Sequence, residues 1–330
     1  MEKVELGSGG PLVSRVGLGL MSMSGVYGPA QDAESIRAIH AALDEDVTLL
    51  DTGDFYGTGR NELLLRDALR EKDRSKVFIG VKFGVQRDPS GRMVGHDTSP
   101  AAVKNSLAHT LTRLGTDYVD LYQPARLDRN VPIEDTVGAI AEMIKAGYVR
   151  YLGLSEVGAD TIRRAHAVYP VTALQIEYSL MSRGAEAHIL PAVRELGIAV
   201  TAYGVLSRGL ISASARDIAP DDPRSSRFPR FQPGNLAANL DLVSTLEQIA
   251  AGHDVTVAQL AFAWVLSRGD DIIPLIGTKR RDRVVEALGA LRIELSTEEL
   301  DAIGAAVPAE KVAGDRYDPA SMHHLDSEKS

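Results

Sequence analysis

The stretch DAESIRAIHAALDEDVTLLD, residues 32–51, carries an amphipathic segment of helical period (32–45) into a short apolar run (47–51) that ends on Asp51. A helix feeding a strand is half of a βα repeat, so the fold turns on whether the unit recurs. It does. Apolar runs of strand length stand at RVGLGL (15–20), VTLLD (47–51), VFIGVK (77–82), YVDLYQ (118–123), VRYLGLS (149–155), TALQIEY (172–178), GIAVTAY (197–203) and DIIPLIG (271–277). Between them lie further amphipathic stretches such as 99–115 and 133–147, several opening on Asp, Ser or Thr and closing on Gly, as capped helices do. Eight units over about 260 residues predict an α/β fold, a closed (β/α)8 TIM barrel rather than a doubly wound sheet, and no G-x-G-x-x-G follows the first strand. Gly17 and Gly19 are too few for a phosphate loop, and GSGG at 7–10 reads as a turn.

Outside that rhythm the sequence predicts an N-terminal hairpin (VELGSGGPLVSRVGLG) and an extra C-terminal helix at 296–307 opened by a Ser296–Glu299 capping box. Residues 207–235, rich in Pro, Ser and Arg, read as a large loop on the ligand-binding face. The tail, 308–330, is expected to cover the site or to fray. The whole chain, 1–330, is expected to form a single barrel domain.

Composition narrows the function classes. A net charge of −9 argues against a nucleic-acid partner and favours a small molecule. Zero cysteines exclude disulfides and thiolate chemistry. No apolar run reaches the roughly 18 residues of a membrane span, and MEKVELGSGG lacks the regions of a signal peptide, so the expectation is a cytoplasmic protein. No metal site is expected: His323 and His324 have no third ligand at suitable spacing. An oligomer remains open.

In such a barrel, ionisable residues at the C-terminal ends of strands are the first candidates for chemistry. Asp51 closes one run, Lys82 closes the next, and Tyr56 follows in DTGDFYG (51–57). A buried lysine needs a counter-charge, which Asp51 is placed to give, and a nearby ammonium favours the phenolate of a tyrosine, making its proton easier to donate. The same spacing also suits an ion pair that only ties two strands together.

The series DTGDFYGTGRNE (51–62), VFIGVKFG (77–84), LGTDYVDLYQPARLD (114–128), VRYLGLSE (149–156), TALQIEYSLMSR (172–183), TAYGVLSRGL (201–210), TVAQLAFAWVLSRG (256–269) and IPLIGTKRRDRV (273–284) resembles the aldo-keto reductase superfamily, most of all its branch of potassium-channel β subunits and pyridoxal reductases. The resemblance implies an oxidoreductase that moves hydride between NADPH (NADP) and an aldehyde or ketone, or runs the reverse reaction. Tyr56 would donate the proton, supported by Asp51 and Lys82. Ser155, Glu156 and Gln175 would hold the nicotinamide carboxamide, and Tyr203 would stack on the ring. The segment around Gly204, Leu206, Arg208 and Gly209 would cradle the pyrophosphate, with 207–235 folded over the cofactor. Lys279, Arg280 and Arg283, where a helix begins, would take a 2′-phosphate, Gly277 and Thr278 would also touch the cofactor, and Glu286 would meet adenine. Met21, Tyr27, Phe55 and Phe83 would line the pocket of a small-molecule carbonyl or alcohol substrate.

Three departures accompany the match. Glu156 replaces a common Asn, Ala287 replaces an Asn usual at adenine, and Ala125 falls where the family's catalytic histidine stands. Losing one preorganised donor to an oxyanion typically costs about 2.7–4 kcal/mol. A water in a roomier pocket is one expected substitute, and His96 in the loop after the third strand is another candidate. His40, His109, His166, His188 and His253 read as outer-surface or packing residues. Arg126 and Asp128 read as structural. Two other functions stay open: a slow redox sensor holding NADPH, and a reductase of activated double bonds or a hemiacetal dehydrogenase.

Overall fold

The computed structural model describes residues 1–218 and 222–329. A two-stranded antiparallel hairpin, β1 (Lys3–Glu5) and β2 (Leu12–Ser14), comes first. Eight parallel strands then close a barrel in chain order: β3 (Gly17–Gly19), β4 (Leu49–Gly53), β5 (Phe78–Phe83), β8 (Val119–Pro124), β9 (Val149–Ser155), β10 (Ala173–Glu177), β11 (Ala199–Tyr203) and β12 (Ile272–Gly277). Closure is made where β12 pairs with β3, Leu275 opposite Gly17. The expected (β/α)8 barrel and its N-terminal hairpin are present.

The helices ring the barrel: α1 (Asp32–Asp44), α2 (Arg60–Leu69), α3 (Pro100–Leu114), α4 (Ile133–Lys145), α5 (Ala159–Val168) and α6 (Ala185–Glu195). After β11 come α7 (Pro223–Arg227), α8 (Pro233–Gly252) and α9 (Val257–Leu266), and after β12 come α10 (Arg281–Leu288), α11 (Thr297–Ala306) and α12 (Pro319–His324). The capping box predicted at Ser296 and Glu299 forms, with both reciprocal hydrogen bonds made.

Two hydrophobic clusters hold this together. One lies between strands and helices; the other fills the barrel floor with Leu49, Phe78, Leu121, Ala173, Ala199, Ile273 and Leu275, plugged from below by Val4, Leu6 and Val13 of the hairpin. The first barrel strand is shorter than the predicted 15–20. Arg15 turns aside to donate to the carbonyls of Ile272 and Leu266. Gly17 lets Leu275 and Leu49 pack close: a Cβ there would approach Leu275 Cδ2 to 2.6 Å and displace it.

Two expectations need correction. The segment 207–235 is not a plain loop: its described residues form short 3-10 turns, α7 and the start of α8, while 219–221 lie outside the described residues. Pro223 at the first turn of α7, with Asp222 capping it, and Pro233 opening α8 supply the local starts that composition alone concealed. A second hairpin, β6 (Val85–Arg87) with β7 (Met93–His96), stands where a loop was expected after β5. It holds His96 opposite Val85 in the pairing register.

No single helix among the described residues is long and apolar enough to cross a membrane.

Candidate active site

Side chains alternate between faces along a strand, and at the C-terminal end of this barrel the alternation turns a set of polar groups inward. Asp51 on β4 is reached by Lys82 Nζ of β5 in a close ion pair, with both side chains almost fully buried. The second oxygen of Asp51 accepts from Gln175 Nε2 of β10 at 2.8 Å, and at the limit of hydrogen bonding, 3.5 Å, from Gln123 Nε2 of β8. Tyr56 closes over this group: Lys82 Nζ lies 5.2 Å from its ring centroid, and the ring is 7% exposed. Phe55 packs edge-on against it at 4.8 Å between centroids.

The same alternation overturns the pocket role given to Phe83. Because Lys82 points in, Phe83 points out; it is fully buried in the layer between barrel and helices and stacks on Tyr122 at 4.3 Å. Met21 and Tyr27, by contrast, are half-buried beyond the end of β3.

The electrostatics of Tyr56 differ from the expected effect of a neighbouring ammonium. Burial pushes the phenol well above its ordinary pKa, Asp51 pushes it further, and Arg126 pulls the other way. Burial also draws Lys82 down against the opposing pull of Asp51. The ammonium is committed to its carboxylate, and the phenol keeps its proton at neutral pH.

Of the residues expected to meet a cofactor, Ser155 at the end of β9 is buried and its Oγ has no hydrogen-bond partner. An orphaned hydroxyl at the C-terminal end of a barrel strand is open to a polar ligand. Gln175 is turned to Asp51. Glu156 is not free for a carboxamide, which corrects the expectation: its oxygens accept from Tyr203 OH at 2.8 Å, Glu177 N at 3.0 Å, Ser327 Oγ at 2.7 Å and Arg316 at 2.6 and 3.0 Å. Burial alone would raise the Glu156 carboxyl, but Arg316, then Arg126, outweigh it and hold the group well below the usual carboxylate range.

Beyond β11, Gly204 (φ +71°) begins a turn in which Ser207, Arg208 and Gly209 all have positive φ. Leu206 packs on the core, and Arg208 is spent on Glu177, at 2.9 and 3.2 Å. Gly277 and Thr278 lead toward α10, with open space beside Gly277. The cations around that helix start are engaged. Lys279 Nζ donates to the carbonyls of Gly28 at 3.0 Å and Pro29 at 2.7 Å, Arg280 pairs with Asp282, and Arg283 pairs with Glu286. The helix start itself already receives an anion, because Arg281 N donates to Glu34 Oε1 at 3.0 Å. Ala287 packs in the core, so that position could not present an Asn to adenine without a shift of the helix.

Ala125 is fully buried, its N–H held by Phe83 O at 2.9 Å, so the place of the expected imidazole is not the roomy space anticipated. Arg126, read as structural from sequence, folds back so that Nη1 donates to Ala125 O at 2.6 Å and Nη2 reaches Tyr317 OH at 3.5 Å. The tail does not fray at this point. Tyr317 OH lies 3.0 Å from Tyr203 OH, and Arg316, 7% exposed, binds Glu156 and also Glu177 at 3.3 Å. Arg316 and Tyr317 carried no signal in the sequence, since the partners that tie them to the barrel, Glu156, Glu177 and Tyr203, lie more than a hundred residues away. Of the outer histidines, His40 bonds to Ala68 O, His166 accepts from Val171 N, and His253 lies against Glu299.

Residues 15–308 match the aldo/keto reductase family. The chain belongs to that family. This aldo/keto reductase is 41% identical over 321 residues to "Probable aldo-keto reductase 1" of Glycine max, across 96% of this chain and 92% of that one. Its fold is similar to that of a glycerol dehydrogenase from Gluconobacter oxydans, with TM-score 0.84, 28% identity, and coverage of 99% of this chain and 97% of the other. It is also similar to the holo form of an aldo-keto reductase from Bacillus halodurans, with TM-score 0.77, 26% identity, and coverage of 94% and 97%. Membership makes the chain an oxidoreductase of carbonyl chemistry.

Proposed function

We propose that this aldo/keto reductase interconverts an aldehyde or ketone and its alcohol with NADPH (NADP), Tyr56 exchanging the proton at the carbonyl oxygen. The observation that carries the reading is the buried Asp51–Lys82 pair set beneath the phenol of Tyr56. A structural ion pair has no need of an acid held over it and closed off from water. The residues fit a nicotinamide cofactor at one specific point: the partnerless hydroxyl of Ser155 would take its carboxamide, with Tyr203 beside the ring. When bound, the cofactor supplies the hydride.

The rest is work for the chain itself. Burial keeps Tyr56 protonated and so ready to donate. Lys82, fixed by Asp51, keeps a positive charge beside the phenol, where it offsets the charge left on Tyr56 as the proton departs. Gln175 orients Asp51 in turn. Ala125 adds no side-chain donor. The preference for NADPH would rest on the α10 start, where Thr278, Lys279, Arg280 and Arg283 follow one another in the chain and Glu34 accepts from Arg281 N.

The test is the Tyr56→Phe variant. Removing one general acid typically costs about 10²–10⁴ in rate, so its kcat for carbonyl reduction should fall by that order while cofactor affinity is kept. Unchanged turnover would remove Tyr56 from the chemistry.

A further inference from the structure

Four guanidiniums gather at the mouth of the barrel, three of them in ion pairs with carboxylates of this chain. Arg208, Arg230 and Arg316 converge on Glu177, and Arg316 also holds Glu156. Arg126 is a fourth guanidinium, and it differs from the other three. Its hydrogen-bond partners are neutral, the carbonyl of Ala125 and the hydroxyl of Tyr317, and it has no ion pair among the described residues.

Its position is fixed from both sides. Ala125 is tied by its N–H to the end of β5, one residue past Lys82, and the guanidinium folds back onto the Ala125 carbonyl. On the far side, Tyr317 links it to the hydroxyl of Tyr203. Arg126 therefore lies between the Tyr56–Lys82 centre and Tyr203. Its charge is felt at both ends, lowering Tyr56 and Lys82 on one side and Glu156 on the other. The methyl group of Ala125 offers nothing that competes for a ligand at this place. A guanidinium presents parallel N–H donors that match a carboxylate, and with no acid paired to it among the described residues, it is set to recognise one from outside.

We propose that Arg126 is a specificity-determining residue that binds a carboxylate carried by the substrate close to its carbonyl, so that the enzyme prefers anionic oxo- or aldehyde-acids to neutral carbonyl compounds. This rests on the reductase reading for the reaction, though not for the binding.

The test uses the NADPH-loaded enzyme with para-carboxybenzaldehyde and its methyl ester, which differ only in the charge. The wild type should reduce the acid with kcat/KM about tenfold or more above the ester, an effect of the size a charge-assisted contact gives. Arg126→Gln should bring the acid-to-ester ratio of kcat/KM down to about one through KM of the acid, whatever rate change the two substrates share, and Arg126→Lys should restore part of the ratio. Independently of turnover, calorimetry should show benzoate binding to the wild-type protein, with benzamide far weaker and Arg126→Gln losing the benzoate. A wild type that treats acid and ester alike, or a Gln variant that keeps the preference, overturns the proposal. If neither aldehyde is reduced but benzoate still binds through Arg126, the carboxylate site stands and the reductase reading fails.

Discussion

Ala125 and Asp54 show how a single residue's surroundings set what it can do. Ala125 has no exposed surface, so a larger side chain must displace its neighbours. Ala125→His should lower stability by about 1–3 kcal/mol, as overpacking does, without raising turnover, and urea unfolding beside steady-state rates would check both. Asp54, in the loop between Asp51 and Tyr56, has one oxygen buried without a partner. Burial, with Glu62 nearby, pushes its carboxyl up to about 7. The folded state then holds a proton that the unfolded chain has already lost, so stability falls as pH rises from about 4 to about 7 and is level beyond. Asp54→Asn should therefore match the wild type near pH 4 and melt higher at pH 8. Asp51, Tyr56 and Lys82 were legible in the sequence because each closes or follows an apolar run. Phe83 was misplaced because its strand was read for composition without following the in–out alternation from Lys82.

At the scale of elements, the start of α10 already holds an anion of this chain. A helix N-terminus favours negative charge, and Glu34 of α1 already supplies it through Arg281 N, assisted by Arg37. A 2′-phosphate bound there would meet that carboxylate. Glu34→Gln should tighten NADPH by about fivefold, roughly 1 kcal/mol at a helix terminus, and leave NADH nearly unchanged, as fluorescence titration would show. The basic cluster in GTKRRDR was visible in sequence; its occupation by Gly28, Pro29, Asp282 and Glu286 was not, because charge runs do not reveal their partners. The β6–β7 hairpin escaped notice for a similar reason: its strands are three and four residues long and largely exposed, so they leave little alternation to read.

Across the whole molecule, the two ends of the chain hold opposite ends of the barrel. The hairpin β1–β2 plugs the floor with Val4, Leu6 and Val13, while the tail crosses the mouth through Arg316, Tyr317 and Ser327. The barrel was legible because eight strand signals recur in order, a local pattern repeated. The tail's attachment was not, because it depends on a buried Arg316–Glu156 pair spanning 160 residues. Arg316→Met leaves Glu156 buried without its main counter-charge, and breaking a buried pair from one side costs about 3–5 kcal/mol; the midpoint of urea unfolding should drop accordingly. The central claim is that Tyr56, over the Asp51–Lys82 pair, gives the proton that completes carbonyl reduction. It is met most directly by the single-turnover oxidation of bound NADPH with a neutral aldehyde in wild type and Tyr56→Phe. The prediction is a rapid phase in the wild type that slows by about 10²–10⁴ in the variant with cofactor affinity unchanged; equal rates in the two proteins would contradict it.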